Sequence, residues 1–451
     1  MAGRPGSAAL SRGPEDGRRR AGRPPGYLYK RGVMRLVQVV HGFPPRENAG
    51  TERVAAAEAV ALRARGWFVH TLAATRSPGA RMYREIEEPG VSRLVNNTPY
   101  AGVRRADRDP TARRWLERRL ERLQPDVVHV HHTAYLDVDF VAAAPVVWTL
   151  HDAWAWCAAG GQLFRDGAPC SGPGHRCASC ATAWTRDGPA ATALLGAAGR
   201  LSSFIPGPRL HGAWSRVPGR LRALATRGAA PVTPAAIGAR TAAYREFARR
   251  AAAIVTPSAW LAAEAARQGI GGVRVLPNGV RVAERRSAVA ADAPFLFLGT
   301  IAAHKGPDLV RAAHARSGVS APLRIVGPPG PDAAFVARIG AEPAVADAEA
   351  LLRAARALVL GSRWPENAPM VVLEARAVGC PVIAPAIGGL PELVEPGVDG
   401  WLYAPGDEGS LAEAIVAASC SPALPVRPPC GHDAHIEALL AVYASVAGRG
   451  G

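Results

Sequence analysis

No stretch of this 451-residue chain approaches the roughly 18 consecutive apolar residues that a membrane-spanning helix needs. Residues 1–33 contain no continuous apolar core of the kind an export signal carries, so the expectation is a cytoplasmic protein. Cysteine is sparse, at seven residues, and without an export signal such cysteines are expected as thiols or metal ligands instead of disulfides. Acidic residues are outnumbered, 37 against 54 Lys and Arg, giving a formal charge of +17. That excess favours anionic partners such as phosphates or acidic lipid headgroups. It does not make a nucleic-acid binder, because neither a recognition motif nor a pattern of stacking aromatics accompanies it. The 48 glycines and 40 prolines stay below the roughly 25–30% that marks low-complexity chains, and 48% hydrophobic residues suffice for substantial cores.

Residues 1–33 are rich in Gly, Pro, Arg and Ala and lack any hydrophobic period, so they are expected to be a disordered basic extension. Met34 directly precedes the first strand-like run, and translation starting there is an equally open reading. From Arg35 onward strand and helix signals alternate. Leu36–Val40 reads as a buried strand, Thr51–Arg65 as a helix stopped by Gly66, and Trp67–Leu72 as the next strand. A basic helix over 111–123 ends at Gln124-Pro125, and strands follow at Val127–Val130 and Val146–Leu150. Residues 157–240 interrupt the rhythm, which resumes at Ala251–Val255. Polar, Ala-rich residues 281–293 read as a linker. A second series follows, with strands at Phe295–Leu298, Leu323–Val326, Ala357–Leu360 and Pro381–Ile383 and helices at Asp308–Ser317, Asp347–Ala355 and Met370–Val378. Alternating strands and helices indicate parallel, doubly wound sheets. Two such domains are expected, 34–282 with a Cys-containing insertion at about 152–245, and 283–431, followed by a C-terminal helix within 432–451.

In an open parallel sheet, ligands bind beyond the carboxyl ends of the strands. His151-Asp152, Gly299-Thr300 with Lys305-Gly306, Gly327, Ser362–Glu366 and Gly388-Gly389 all fall there. Two domains presenting these edges to each other would enclose a cleft. Glu366 and Glu374 stand eight positions apart, the first in a loop and the second inside the following helix. The loop Asn367-Ala368-Pro369 opens that helix, whose free N–H groups suit an anion such as a diphosphate. A carboxylate one or two turns further in can accept two hydrogen bonds from a ribose diol.

The run from Trp364 through Glu374-Ala375 to Gly388-Gly389-Leu390-Pro391-Glu392 resembles the donor-site signature of the family-4-like retaining glycosyltransferases. His41-Gly42-Phe43-Pro44-Pro45…Gly50-Thr51-Glu52, Pro125–His131, Thr149–Asp152, Thr256-Pro257-Ser258, Pro277–Val280 and His304-Lys305-Gly306 resemble further motifs of that family, in its order. The resemblance spans roughly 34–180 and 245–443. It implies an α/β protein of GT-B architecture, two facing Rossmann-like domains with a cleft between them. It also implies transfer of a sugar from a nucleotide-sugar to a polysaccharide, glycolipid or metabolite acceptor, retaining anomeric configuration and requiring no catalytic metal. On the same resemblance Lys305 would hold the donor diphosphate, Glu374 the ribose hydroxyls and Glu366 the donor sugar near its reacting carbon. His151 would contact that sugar from the other domain, and Gly50 would let the backbone approach the phosphates. Gly299, Thr300, Asn367, Ala368, Pro369 and Met370 complete the implied donor set. Relatives often place Arg where this chain has Thr300; a hydroxyl cannot replace a bidentate guanidinium, and His304 or Arg363 would have to contribute charge instead. Contact with the inner face of a membrane is a further expectation, since a basic surface suits an anionic bilayer.

Cys157, Cys170, Cys177 and Cys180 form a C-x12-C-x6-C-x2-C cluster, a thiol set suited to a structural zinc; free thiols are the competing reading. His129 and His131 share a face of one strand, but no carboxylate on that strand lies in phase with them, and they read as satisfied polar residues. Trp154 and Trp156 are candidates for an apolar acceptor wall. Two other functions stay open: a sugar-binding or scaffold protein of the same fold that lacks donor affinity, motivated by Thr300, and a nucleotide-sugar epimerase of similar fold.

Overall fold

The computed structural model describes residues 32–77, 80–97, 108–170, 172–187, 231–286, 289–290, 292–330, 332–421 and 424–447. The expected disorder of residues 1–31, and most of the segment between 181 and 240 where helical stretches were read, lie outside the described residues.

The first sheet is built from β1 (Arg35–Val40), β2 (Phe68–Thr75), β3 (Glu85–Glu88), β4 (Val91–Val95), β5 (Val127–Val130), β6 (Val146–Thr149), β9 (Ala253–Thr256) and β10 (Val273–Val275); a separate hairpin, β7 (Phe164–Arg165) with β8 (Ala168–Pro169), stands in the insertion. Its strand order is β10-β9-β6-β5-β1-β2-β4-β3, and every pairing is parallel except β3 with β4. The central strands β1, β5 and β6 are mainly apolar because helices cover both faces, and each buries one polar side chain: Gln38, His129 and Thr149. Those helices are α1 (Gly50–Ala64), α2 (Pro110–Leu123), α3 (Cys177–Asp187), α4 (Pro234–Arg250) and α5 (Ala259–Arg267). Two of them begin on a side-chain cap followed by proline: Asp109 before Pro110, and Thr233 before Pro234.

The second sheet has order β12-β11-β13-β14-β15, all parallel: β11 (Phe295–Leu298), β12 (Leu323–Val326), β13 (Ala357–Val359), β14 (Val382–Pro385) and β15 (Gly400–Tyr403). Around it lie α6 (Pro307–Ser317), α7 (Ala333–Ile339), α8 (Ala348–Ala354), α9 (Met370–Ala377), α10 (Leu390–Leu393) and α11 (Glu408–Cys420). The last helix, α12 (His432–Ala447), does not pack here. Its Ile436, Leu439, Val442, Tyr443 and Val446 are buried with Leu36 and Val127 of the first sheet and Leu62 of α1.

Two mixed α/β units of this kind form a GT-B fold. The β3–β4 pair and α7 were not read from the sequence. Glu85-Ile86-Glu87-Glu88 is short and charged, as suits a sheet edge, and carries no hydrophobic alternation.

Candidate functional site

The carboxyl ends of both sheets open onto a cleft of about 550 Å³. His151, Gly50, Gly299, Thr300, Lys305, Glu366, Asn367, Ala368, Pro369 and Met370 all line it. Glu374 does not. It faces an adjoining cavity of about 590 Å³ that shares Asn48, Arg53, Val54 and Met370 with the first. Between the two, the guanidinium of Arg53 on α1 pairs with the Glu374 carboxylate on α9. Arg53 had no signal in the sequence beyond being one arginine among many.

Backbone contact places Lys305 against the Glu366 loop. Gly306 adopts φ 65°, and a Cβ there would lie 2.0 Å from the Gly361 carbonyl oxygen; one on Gly361 would lie 2.1 Å from that of Gly306. Only two glycines allow the loops to touch in this way. Lys305 Nζ then donates to Glu366 Oε1 at 2.6 Å and stands 4.7 Å from the centre of the Trp364 ring. Ser362 Oγ (3.0 Å) and Trp364 Nε1 (2.8 Å) donate to the same Glu366 oxygen. The Glu366 backbone is fixed from behind, where Gly389 N–H donates to its carbonyl at 2.8 Å. Three donors on one oxygen hold this buried carboxylate in place. The second oxygen has no such partners among the described residues and faces the cleft side of the loop as the one open to a ligand. The N-terminus of α9 has no side-chain cap, so its free N–H groups lie beside Asn367–Pro369.

The two substitutes for the guanidinium missing at Thr300 do not supply its charge. Burial, then the neighbouring Lys305 charge, lowers the His304 imidazole to about 4, so it is neutral near pH 7. Arg363 is held by both oxygens of Asp308, at 2.8 and 2.9 Å. The cations lining the cleft itself are Lys305 and Arg53 among the described residues. Gly50 starts α1, and a Cβ there would meet only Met370, at 3.9 Å, so nothing within the protein demands glycine.

Besides the Arg53–Glu374 pair, further contacts tie the halves across the cleft. Asn367 Nδ2 donates to the His151 carbonyl at 2.8 Å, Ser258 Oγ bonds Asn367 Oδ1, and the Glu392 carboxylate accepts from the first N–H groups of α5, Ala259 at 2.8 Å and Trp260 at 2.5 Å. A carboxylate at a helix N-terminus is favoured by the free N–H groups and the macrodipole.

His129 and His131 are satisfied polar residues, as read, but one part of that reading changes. A carboxylate does meet His129 and His131, but it comes from α1: Glu58 Oε2 lies 3.4 Å from His129 Nδ1 and 3.5 Å from His131 Nε2. Glu58 was hidden because α1 is Ala-rich and shows only a weak apolar stripe. Ligand atoms of Glu58, His129 and His131 lie within 4.8 Å of one another, a spacing open to a metal ion. Every ring nitrogen there already has a hydrogen-bonding neighbour, however: His129 uses Thr149 Oγ1 and Tyr443 OH, and His131 uses Gln38 Nε2 and His151 Nε2. Glu58 instead binds His435 of α12, Oε1 to Nε2 at 3.0 Å. Burial alone would raise the Glu58 carboxyl, but the His435 hydrogen bond and the surrounding imidazoles lower it overall. Burial would lower His435; the Glu58 bond and charge, with the Pro277 carbonyl 2.8 Å from Nδ1, raise it instead.

The acceptor-wall reading also changes. Trp154 and Trp156 are buried, and Trp154 Nε1 donates to Tyr244 OH at 2.7 Å inside the core. Trp260 and Trp364 line the cleft in their place. The four cysteines Cys157, Cys170, Cys177 and Cys180 border one small cavity beside the β7–β8 hairpin. Burial, with the other three thiols nearby, raises Cys180 to about 11. Among the described residues, the grouping whose three ligand atoms lie within 4.8 Å is the Glu58 set and not this one.

Residues 293–419 match the family described as Glycosyl transferases group 1, and residues 48–170 match Glycosyltransferase Family 4. This chain is a GT-B-fold relative of those glycosyltransferases. The GT-B relative is 32% identical over 188 residues to the D-inositol 3-phosphate glycosyltransferase of Streptomyces griseus, covering 36% of this chain and 39% of that one. It is 33% identical over 160 residues to the enzyme of the same name from Mycobacterium tuberculosis, covering 30% and 32%. The matches therefore span two fifths or less of these relatives. Sucrose-phosphate synthase from Thermosynechococcus elongatus superposes with TM-score 0.57 at 16% identity, covering 92% of this chain and 97% of that structure. Anabaena HepE in complex with UDP and glucose gives 0.52 at 15%, covering 92% and 99%. At these identities the likeness is one of fold. Among the described residues, no helix is long and apolar enough to cross a membrane.

Proposed function

We propose that the chain transfers a sugar from a nucleotide-sugar to a hydroxyl acceptor, with retention of configuration and without a catalytic metal. The observation that carries this reading is the Lys305–Glu366 pair, held rigidly on the cleft wall with one carboxylate oxygen unengaged. Lys305 would meet the departing diphosphate, where charge develops, and its ammonium would take the place of a metal. Glu366 would accept from donor-sugar hydroxyls. His151 would meet the same sugar from the opposite wall. Glu374 would bind the ribose once Arg53 lets it go, and Arg53 would then be free to meet phosphate oxygens in the absence of a guanidinium at position 300. We assign the donor to the half spanning 283–431, and the acceptor to the half spanning 34–282 with its insertion at about 152–245. The test is release of nucleotide from a panel of UDP-, GDP-, ADP- and dTDP-sugars, with and without D-inositol 3-phosphate as trial acceptor. Turnover of one donor supports the reading. Failure of every donor to bind would favour a sugar-binding or scaffold role.

The four cysteines are assigned a structural role outside this chemistry, with zinc as the ion such a thiol set takes. A tetrahedral thiolate cage brings sulfurs to about 3.8 Å from one another, so the ion would draw these side chains closer together. Mass-spectrometric metal analysis of protein purified without chelators is expected to find about one zinc per chain, falling to near zero in Cys177→Ser/Cys180→Ser. Metal-free protein with an unchanged melting temperature would leave the four as free thiols.

A further inference from the structure

The hydrogen-bond pattern behind the cleft determines which nitrogen of His151 carries its proton. Gln38 sits on β1 with its side chain buried. Its amide nitrogen donates to the Ala55 carbonyl at 3.1 Å, and its amide oxygen accepts from Thr71 Oγ1 at 3.2 Å. The Ala55 carbonyl can only accept, which fixes the orientation of the amide, and the Thr71 hydroxyl is compatible with it, so the nitrogen is the atom facing His131 Nε2 at 3.3 Å. An NH2 group only donates. His131 Nε2 must therefore accept, and the proton of a neutral His131 ring is on Nδ1. That nitrogen lies 3.1 Å from His151 Nε2. His151 Nε2 is then the acceptor, and the proton of His151 falls on Nδ1.

Resting on the transferase reading, we propose that Gln38 and His131 hold His151 in the Nδ1-protonated tautomer, so that it serves the donor sugar as a hydrogen-bond donor and not as a base. Gln38 and His131 are positioning residues: each acts through the next ring, and neither lines the 550 Å³ cleft. His151 does line it, and with Nε2 engaged by His131 its Nδ1 is the ring nitrogen left for a ligand. The low proton affinity of both rings agrees. Burial, first among several causes, lowers His151 to about 4 and His131 well below its ordinary value, which keeps each a one-proton ring near pH 7. The Glu58–His435 pair stands behind His131. Glu58 Oε1 takes its hydrogen bond from His435, and Oε2, 3.5 Å from His131 Nε2, is not in hydrogen-bonding geometry with it, whereas Gln38 Nε2 is nearer at 3.3 Å, so Nε2 is read as the acceptor. A sugar hydroxyl or ring oxygen beside such an N–H gains a fixed donor that needs no reorganisation when charge develops.

The experiment uses the full chain with nitrogen-15 in its histidine rings. In the wild type, the His151 signals, assigned by their loss in His151→Ala, are expected to show a protonated Nδ1 and an unprotonated Nε2. His131→Asn keeps an amide donor near the Nδ1 position and is expected to preserve that pattern; His131→Leu and Gln38→Leu are expected to mix the two tautomers. With the donor sugar that turns over, the two leucine variants should lose on the order of 10-fold in kcat with KM for the donor little changed, and the asparagine variant should recover most of it. Binding of UDP, GDP, ADP or dTDP, followed separately, shows that a variant is folded. A wild-type His151 protonated on Nε2, or His131→Asn behaving as His131→Leu, overturns the proposal. Should no donor turn over while the His151 signals are as expected and unmoved by added nucleotide-sugars, the proton order stands and the role toward the sugar falls, together with the transferase reading.

Discussion

Lys305→Ala is expected to lower kcat/KM for the nucleotide-sugar by about 10²–10³-fold, the range seen when one preorganised group is removed from developing negative charge. The lysine stands at the end of a one-turn helix, Ala303–Lys305, where the Gly306–Gly361 contact fixes its backbone. Its ammonium is the charge nearest Glu366 and one of two cations lining the cleft among the described residues. In the free protein it offsets a carboxylate only 7% exposed. In the transition state the same charge faces a leaving diphosphate, so the loss should appear in kcat and not in KM alone. Ser362 and Trp364 continue to hold Glu366, which is why the variant should remain folded, with a melting temperature close to that of the wild type. A Lys305→Ala protein that turns over within tenfold of the wild type would remove Lys305 from the chemistry and leave Arg53 to account for the phosphates.

The second large effect is on stability. His435→Leu strands the buried Glu58 carboxylate, and removing one partner of a buried pair costs about 3–5 kcal/mol. The pH dependence follows from the two shifts. Glu58 is lowered from 4.5 in the folded chain, so its contribution is present above that value and is lost as pH falls through the folded one. His435 is raised from 6.5, so its contribution is complete below that value and is lost as pH rises through the folded one. The gap in unfolding free energy between wild type and variant should therefore be widest between about pH 4.5 and 6.5 and narrow as pH rises through the folded His435 value. Urea titrations at several pH values measure it. A gap that is flat with pH would mean that the two side chains are packed together but not ionised.

Much of this architecture could be read from the chain because strands buried on both faces announce themselves. Leu36–Val40, Val127–Val130 and Phe295–Leu298 are strongly apolar runs, the first two each broken by one polar residue, ended by polar or glycine-rich turns, and the structure places strands there. Residues such as Lys305, Glu366 and His151 stood out because each lies in the loop that follows a strand run. What escaped notice came from other elements and lacked a local signature. Glu58 sits on an Ala-rich helix, where a buried glutamate looks like a solvated one until His435, 377 positions later, is seen to reach it. Arg53 is one of many arginines, and its partner Glu374 is 321 positions away. Gln38 occupies a strand position that reads as a polar interruption, and its meaning lies in the orientation of its amide. Neighbouring residues determine where a strand lies; distant ones determine what a buried polar group is bonded to.

The placement of α12 also governs the order in which the chain can be completed. The first sheet is translated early, yet Leu36, Leu62 and Val127 are covered by Ile436, Leu439 and Tyr443, which leave the ribosome only after the second sheet. At about 5–20 residues per second, the apolar flank of that sheet waits tens of seconds for its cover. The half beginning at Arg35 can start folding first but finishes last, after the half encoded downstream of it. For the same reason a gene cut between β10 and β11 would separate one half from part of its own core, and joining His432–Ala447 to the end of the first half would restore that cover.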